Sequence, residues 1–170
     1  MKIPQRPTLD DVKTSLKQIK NDEFTRVLTC GDTDEYFSAD KKSMKEYTET
    51  FVSMTTIVHR YLCAESIGRG YKPENKPAKI SDMFCHHMWS MYSLSEAMET
   101  LYKKGKRDKN YVDMFMRQFA HDTKEILDFC EKIANGELPD SIRFHSSMKL
   151  KTYTAVQDGL FGTKIQVTEK

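Results

Sequence analysis

The chain has 170 residues, of which 38% are hydrophobic and 31% charged, so it is long enough for one sizeable core and too short to predict two domains. Lys and Arg number 27 and Asp and Glu 25, and the two signs are interspersed, which argues against nucleic acid or an anionic membrane as a partner. There is no apolar run of signal-peptide or membrane-spanning length, and the four cysteines form no CxxC pair. We therefore expect a soluble cytoplasmic protein with reduced thiols and no membrane partner.

The first two predicted helices occupy residues up to about 70. Thr8 is a plausible N-cap for the first, whose apolar residues recur at steps of three and four and continue loosely to a stop near Gly31. The second begins around Asp40 and ends at Gly68 and Gly70. Its apolar stripe is the most regular in the chain and consists of Met44, Tyr47, Phe51, Met54, Val58 and Tyr61.

Two further helices follow a segment, Arg69 to Ile80, that holds two prolines and is predicted to be an extended loop. Ser81 is the predicted cap of the third helix, which Gly105 ends, and Asp108 is the predicted cap of the fourth, which ends at Gly136. The third stripe is Phe84, His87, Met91, Leu94, Met98 and Leu101; the fourth is Val112, Phe115, Phe119, Asp122, Ile126, Phe129 and Ile133.

The hydrophobic period changes after Arg143, where apolar and polar residues alternate on either side of Asp158-Gly159. One predicted strand face carries Met148, Leu150, Thr152, Thr154 and Val156; the other strand carries Phe161, Thr163, Ile165 and Val167 on one face. The predicted fold is mainly α: a four-helix bundle over residues 1–140 and a C-terminal β-hairpin or extended tail over 141–170, in a single domain. The hairpin packs on the bundle or pairs with another chain.

The stripes of the third and fourth helices contain two polar residues, His87 and Asp122. Because the loop between these helices is short, they are predicted to be antiparallel neighbours, and counting outward from the loop brings His87 within one turn of Asp122. The same count places His59 and Cys63 near that level. A buried polar group costs about 1–3 kcal/mol unless it has a partner, so this layer requires an explanation.

One explanation is a metal site. His59 and Cys63 are spaced i to i+4 on one helical face, and His87 with Asp122 completes four ligands for Zn, Mn or Fe. With His121 as a proton acceptor, this set predicts a metal-dependent phosphohydrolase or nucleotide hydrolase. The His121-Asp122 doublet superficially resembles phosphohydrolases of the HD type. The chain lacks the small residues that follow the doublet in those enzymes, so their activity is not carried over.

A second explanation involves no metal. Arg117 and His121 form an acid-base pair in which arginine stabilises phosphate charge and histidine moves a proton. The pair resembles that of helical ribonucleases of the HEPN type, although here only three residues intervene between the two. A third explanation is structural: His87 and Asp122 form a satisfied buried pair that fixes helix register.

The structural explanation is the one we favour, and it implies no cofactor and no catalytic residue. The function predicted is then that of a non-enzymatic protein-protein interaction or assembly protein, whose partner is another protein or a second copy. A nucleic-acid-binding accessory role through Lys103, Lys104, Lys106, Arg107 and Lys109 is the remaining alternative. The predicted interaction residues are Trp89, Tyr92, Phe161 and Ile165.

Overall fold

The computed structural model describes residues 5–31, 44–68, 70, 76–104, 109–138, 151–159 and 162–169. These residues are mostly helical, and two antiparallel strands form a small sheet near the C-terminus, as predicted. In chain order the described elements are α1 (Leu9–Asn21), α2 (Glu23–Thr29), α3 (Met44–Gly68), α4 (Lys76–Lys104), α5 (Lys109–Ala134), β1 (Lys151–Asp158) and β2 (Gly162–Glu169).

The first predicted helix is two helices in the structure. Thr8 caps α1 as predicted, since its hydroxyl accepts a hydrogen bond from the Asp11 N–H and the Asp11 carboxylate accepts one from the Thr8 N–H. The prediction of one helix to Gly31 is wrong because Asp22 adopts an extended backbone (φ −84°, ψ 146°) and becomes the N-cap residue of α2. Aspartate favours a helix start over a helix interior. As a result α2 packs against both α3 and α5.

Helix α4 begins at Lys76, ahead of the predicted cap at Ser81. Ser81 is buried within the helix, and Lys76 to Ile80, predicted as part of a loop, is helical. Pro77 does not prevent this, because it lies in the first turn, where the helix leaves backbone N–H groups without intrahelical acceptors. Ile80 and Phe84 are then one turn apart, and both are buried.

Helix α4 is central to the fold and contacts α3, α5 and β1. Its Phe84 ring packs against that of Phe129 on α5, with ring centroids 5.3 Å apart. Helix α5 ends at Ala134, close to the predicted stop at Gly136, whose φ of 84° glycine adopts without strain. None of the described helices combines the length and apolar character needed to cross a membrane. The largest fully buried side chains are Phe51, Phe84, Phe119, Ile19, Leu28, Ile57, Leu62, Met91, Leu94 and Met98.

The hairpin presents one face to the helices. Tyr153 pairs with Val167 and Ala155 with Ile165, and Tyr153 and Ile165 are buried as part of the main core. On β2 this is the predicted face. On β1 the buried face is that of Tyr153 and Ala155, and the face of Thr152, Thr154 and Val156 is the more exposed one. The reason is Tyr153, whose ring provides more apolar area than the threonines beside it.

Side-chain hydroxyl groups on the helices hold the outer edges of the hairpin. The Ser90 and Ser93 hydroxyls of α4 accept hydrogen bonds from the backbone N–H groups of Lys151 (3.1 Å) and Tyr153 (3.0 Å). On the other strand the Ile165 N–H donates to the Tyr111 hydroxyl of α5 (2.9 Å). Two serine side chains three residues apart on a helix are separated by about 5–7 Å, and so are the backbone N–H groups of two strand residues two positions apart. Each serine can therefore accept a hydrogen bond from one of these N–H groups. The hairpin therefore docks on its own helices.

Candidate functional site

The structure divides the predicted polar layer into two parts. His87 on α4 faces α5, where it meets Asp122 as predicted, together with Glu125. His59 and Cys63 lie instead between α3 and α4. The single predicted layer is wrong because α4 separates the two parts, and positions two apart on a helix, such as 85 and 87, point in nearly opposite directions, about 200° apart.

The first part, the His87 cluster, consists of His87, Asp122 and Glu125. Among the described residues it is the one group of three or more histidine, cysteine or acidic side chains whose donor atoms all lie within 4.8 Å of one another. His87 and Asp122 are each only 7% exposed, and Glu125 is half-buried. The sequence missed Glu125, although its position three residues after Asp122 places both carboxylates on one helical face.

Burial dominates the electrostatics of this cluster. It lowers the pKa of His87 to about 4, against an opposing hydrogen bond with the Asp122 backbone, and the positive charge of Lys151 lowers that pKa further. The imidazole is therefore neutral near pH 7, as a metal ligand must be. The same Lys151 charge also repels a divalent cation at this cluster.

The predicted acid-base pair lies beside this cluster on the surface of α5. His121 and Arg117 are both exposed, and the His121 Nδ1 atom is 3.6 Å from Glu125 Oε1 and 3.9 Å from Asp122 Oδ1. The carboxylates thus orient His121 towards the cluster. The metal, hydrolase and metal-free nuclease hypotheses stay predictions.

The second part lies in a cleft between α3 and α4, which we call the α3–α4 cleft. At its polar end the Cys63 Sγ atom is 3.6 Å from His59 Nε2 and 3.7 Å from the Ser81 hydroxyl oxygen. This end forms a cavity of about 400 Å³, which His59, Cys63, Ser66, Ile67, Ala78, Ser81 and Asp82 line. Burial lowers the pKa of His59, partly offset by the negative charge of Asp82.

The other end of the α3–α4 cleft is largely apolar. It encloses a cavity of about 380 Å³, a volume within the range of small-molecule and side-chain pockets. His59 borders both ends, so the two cavities are neighbours along one cleft. The lining residues of the apolar end are Val52, Thr55, Thr56, His59, Phe84, Cys85, Met88, Trp89 and Tyr92.

Two predicted interaction residues, Trp89 and Tyr92, border this apolar end. Trp89 is 50% exposed, and its indole N–H donates to the Thr152 hydroxyl (3.3 Å) of β1. The Tyr92 hydroxyl donates to Glu49 (3.1 Å) on α3, and the two rings lie 6.2 Å apart between centroids. Because the indole N–H has an acceptor within the chain, what Trp89 offers at the cleft is apolar ring surface.

The other two predicted interaction residues do not join this site. Ile165 is buried against the helices, and its side chain is not available at the surface. Phe161 lies outside the described residues. The sequence missed the α3 wall of the cleft, Val52, Thr55 and Thr56, because two of these are threonines and the predicted stripe of that helix did not include any of the three.

Comparison of this chain with models of protein families, with curated proteins and with solved structures finds no match.

Proposed function

We propose that this chain is a non-enzymatic interaction protein that binds an amphipathic helix of a partner protein in the apolar end of the α3–α4 cleft. The observation that carries the proposal is Trp89, which lies half exposed over a cavity of about 380 Å³ between two helices. Trp and Tyr are enriched at interfaces, and exposed aromatic rings beside a pocket are typical of the residues that dominate binding energy.

A helix is the occupant that suits this site best. The cleft runs between α3 and α4, and a third helix fills the groove between two others in helical bundles. Its floor contains Met88 and Phe84, and methionine adapts its shape to the side chain that it meets. An amphipathic helix presents apolar residues at positions i, i+3 or i+4 and i+7, which is the pattern that a long groove accommodates.

The charge at the rim of the cleft supports a basic residue on that partner helix. Glu49 is exposed on α3 and accepts the hydrogen bond of Tyr92 at the mouth of the apolar end. A Lys or Arg next to the apolar positions of the partner helix is placed to form an ion pair with this carboxylate. Such a pair contributes to the association rate and to the orientation of the partner more than to affinity.

The C-terminal hairpin contributes to the function by positioning Trp89. Thr152 on β1 accepts the indole hydrogen bond, and the Ser90 and Ser93 contacts hold that strand against α4. We further propose that α1 and α2 together take the place of one helix in a four-helix scaffold, and that the protein acts in the reducing cytoplasm, where the four cysteines stay free.

The test is a selection of displayed amphipathic 20-residue peptides on the purified protein, followed by affinity measurements on the enriched sequences. We expect one class of basic amphipathic helices that compete with one another for a single site. Trp89→Ala removes the exposed ring and is expected to weaken their binding by about tenfold or more, the loss typical of a central interface aromatic.

Met114→Ala is the matched control, because Met114 is a comparably exposed apolar residue on α5 and does not line the cleft. The affinity of the Met114→Ala protein for the selected peptides is expected to equal that of the unmodified protein. Peptides that bind Trp89→Ala as tightly as the unmodified protein contradict the proposal. If the protein dimerises on its own and Trp89→Ala abolishes the dimer, the occupant of the cleft is a second copy of the chain and not a helix of another protein.

The nucleic-acid alternative has no support among the described residues. The side chains of Lys103, Lys104, Lys106, Arg107 and Lys109 lie outside the part of the chain whose side chains the structure describes. That alternative therefore stays a prediction.

A further inference from the structure

The contact between α4 and α5 brings together three side chains of metal-binding type, His87 from α4 and Asp122 and Glu125 from α5. One donor atom of each, a ring nitrogen or a carboxylate oxygen, lies within 4.8 Å of the other two. No other group of three or more such side chains converges in this way within the described parts of the chain. We propose that the His87 cluster binds one divalent metal ion of the Mn²⁺ to Zn²⁺ series, which joins α4 to α5.

The spacing of the three donors fits a single ion. Oxygen and nitrogen ligands lie about 2.1 Å from such an ion, so two ligands are about 3.0–3.4 Å apart at octahedral or tetrahedral angles, and about 4.2 Å apart on opposite sides of the ion. The observed limit of 4.8 Å is only slightly larger. Rotation of the two carboxylate groups about their terminal side-chain bonds, which have broad torsional preferences, closes this difference.

Burial distinguishes the cluster from surface carboxylates that happen to be neighbours. His87 and Asp122 are buried and Glu125 is half-buried. Carboxylates in such a position cost free energy unless positive charge offsets theirs. His87 does not supply that charge, because burial lowers its pKa and leaves the imidazole neutral near pH 7. A metal ion supplies the charge and at the same time uses the lone pair of the neutral ring.

Lys151 on β1 provides part of the offset and opposes the ion. Its positive charge lowers the pKa of His87, which shows that the field of the ammonium reaches the cluster. One ammonium carries half the charge of a divalent ion and forms no coordination bond to the imidazole. The removal of the Lys151 charge is therefore expected to favour the ion, and this separates an ion at the His87 cluster from one bound elsewhere.

The helices place the donors as helical bundles place metal ligands. Asp122 and Glu125 are three residues apart on one face of α5, and His87 meets them from the facing helix. Glu125 gives the ion a route from solvent, and the exposed His121 lies beside it, with Nδ1 3.6 Å from Glu125 Oε1. The ligand set thus keeps two of the four donors predicted from the sequence, and Glu125 replaces the two from α3.

Binding is an exchange of ligands and involves no redox step. His87 donates the lone pair of a ring nitrogen, Asp122 and Glu125 each donate an oxygen, and water molecules leave the ion to make room. The neutral His87 loses no proton. The proposal does not depend on the partner helix, because the cluster lies on the α5 side of α4 and the α3–α4 cleft on its α3 side.

The first experiment titrates the chelator-treated protein with Mn²⁺ near pH 7 and measures the free ion by electron paramagnetic resonance. Mn²⁺ is the probe because it prefers carboxylate ligands to thiols, so the four cysteines do not compete for it. We expect saturation at one ion per chain. Asp122→Asn and Glu125→Gln preserve the size of the side chain and are each expected to weaken binding by about tenfold or more.

Two further variants locate the ion. Asp128→Asn removes an exposed carboxylate of α5 outside the cluster and is expected to leave the affinity unchanged. Lys151→Gln removes the opposing charge and is expected to tighten binding by about threefold or more. The proposal is wrong if binding does not saturate at one ion, if Asp128→Asn lowers the affinity as much as Asp122→Asn does, or if Lys151→Gln fails to raise it.

A second measurement uses the unmodified chain and does not depend on the folding of any variant. Mn²⁺ at a small fraction of the protein concentration broadens the NMR signals of the amides near it. We expect the broadening to be strongest at His87 and at residues 122–125 and to decrease with distance from them. Broadening that is centred on the α3–α4 cleft, or that is spread evenly over the exposed acidic residues, overturns the proposal.

Discussion

The protonation of His87 links the stability of this fold to pH. Burial lowers its pKa from 6.5 to about 4, with a further contribution from the charge of Lys151. The unfolded chain therefore binds this proton at a higher pH than the folded chain does. The free energy of unfolding consequently falls as the pH drops from about 6.5 towards 4, and the contribution is fully present above that range.

We predict that His87→Gln flattens this pH dependence. The His87 contribution amounts to at most about 3 kcal/mol between pH 7 and pH 4, since one pKa unit corresponds to about 1.4 kcal/mol. Urea denaturation of both proteins across this range measures the His87 contribution, because the effect of His59, whose pKa burial also lowers, is common to both curves and cancels in their difference. His86→Gln is the control, because His86 is the exposed histidine next to His87 on α4. Parallel curves for the unmodified protein and His87→Gln contradict the prediction.

At the residue scale the sequence predicted part of the site and missed the rest for a definite reason. Counting along antiparallel helices brought His87 to Asp122, because helix rise and a short loop fix the level of each residue. The same count did not say which side of α4 faces α3. His59 and Cys63 were therefore grouped with His87 and Asp122, whereas in the structure they line the α3–α4 cleft.

Among the elements, the hairpin depends on two serines of α4. The Ser93 hydroxyl accepts the buried N–H of Tyr153, and the Ser90 hydroxyl accepts the less buried N–H of Lys151. A strand N–H that loses its acceptor in a buried position costs about 1–3 kcal/mol, whereas water replaces the acceptor at a more open one.

We predict that Ser93→Ala destabilises the hairpin more than Ser90→Ala does. Native-state hydrogen exchange is expected to show faster exchange at Tyr153 in Ser93→Ala, with an opening free energy lower by about 1–3 kcal/mol. Ser95→Ala is the matched control, since its hydroxyl, like that of Ser93, donates to a backbone carbonyl three residues earlier, and Ser95 lies about 200° around α4 from Ser93. Unchanged Tyr153 exchange in Ser93→Ala rules out this account of hairpin docking.

The errors in predicting elements share a physical cause, which is that tertiary contacts override local pattern. Alternation alone could not decide which face of β1 is buried, because Thr152 and Thr154 flank Tyr153 in a strand with apolar residues on both sides. The start of α4 was missed because prolines predict a loop, whereas Pro77 in a first turn is compatible with a helix. The ends at Gly68 and Gly136 were predicted closely.

For the molecule as a whole, the helices and strands that the structure describes leave one face of the α3–α4 pair uncovered. Helices α1, α2 and α5 all contact α3, and α5 and the hairpin contact α4, yet the cleft with Trp89 at its mouth stays accessible. Of the other exposed large apolar residues among the described ones, Ile67 borders the polar end of the cleft, and Met114 and Val167 lie apart from it. The open cleft is therefore where we expect this protein to meet its partner.

The most direct test of that claim is the fluorescence of Trp89, the single tryptophan of the chain. A selected amphipathic peptide without tryptophan is titrated into the protein while the emission maximum and acrylamide quenching are recorded. Burial of the half-exposed ring under a partner helix predicts a shift of emission to shorter wavelength and reduced quenching, both saturating with binding. Saturable binding that leaves the emission and quenching of Trp89 unchanged contradicts the account.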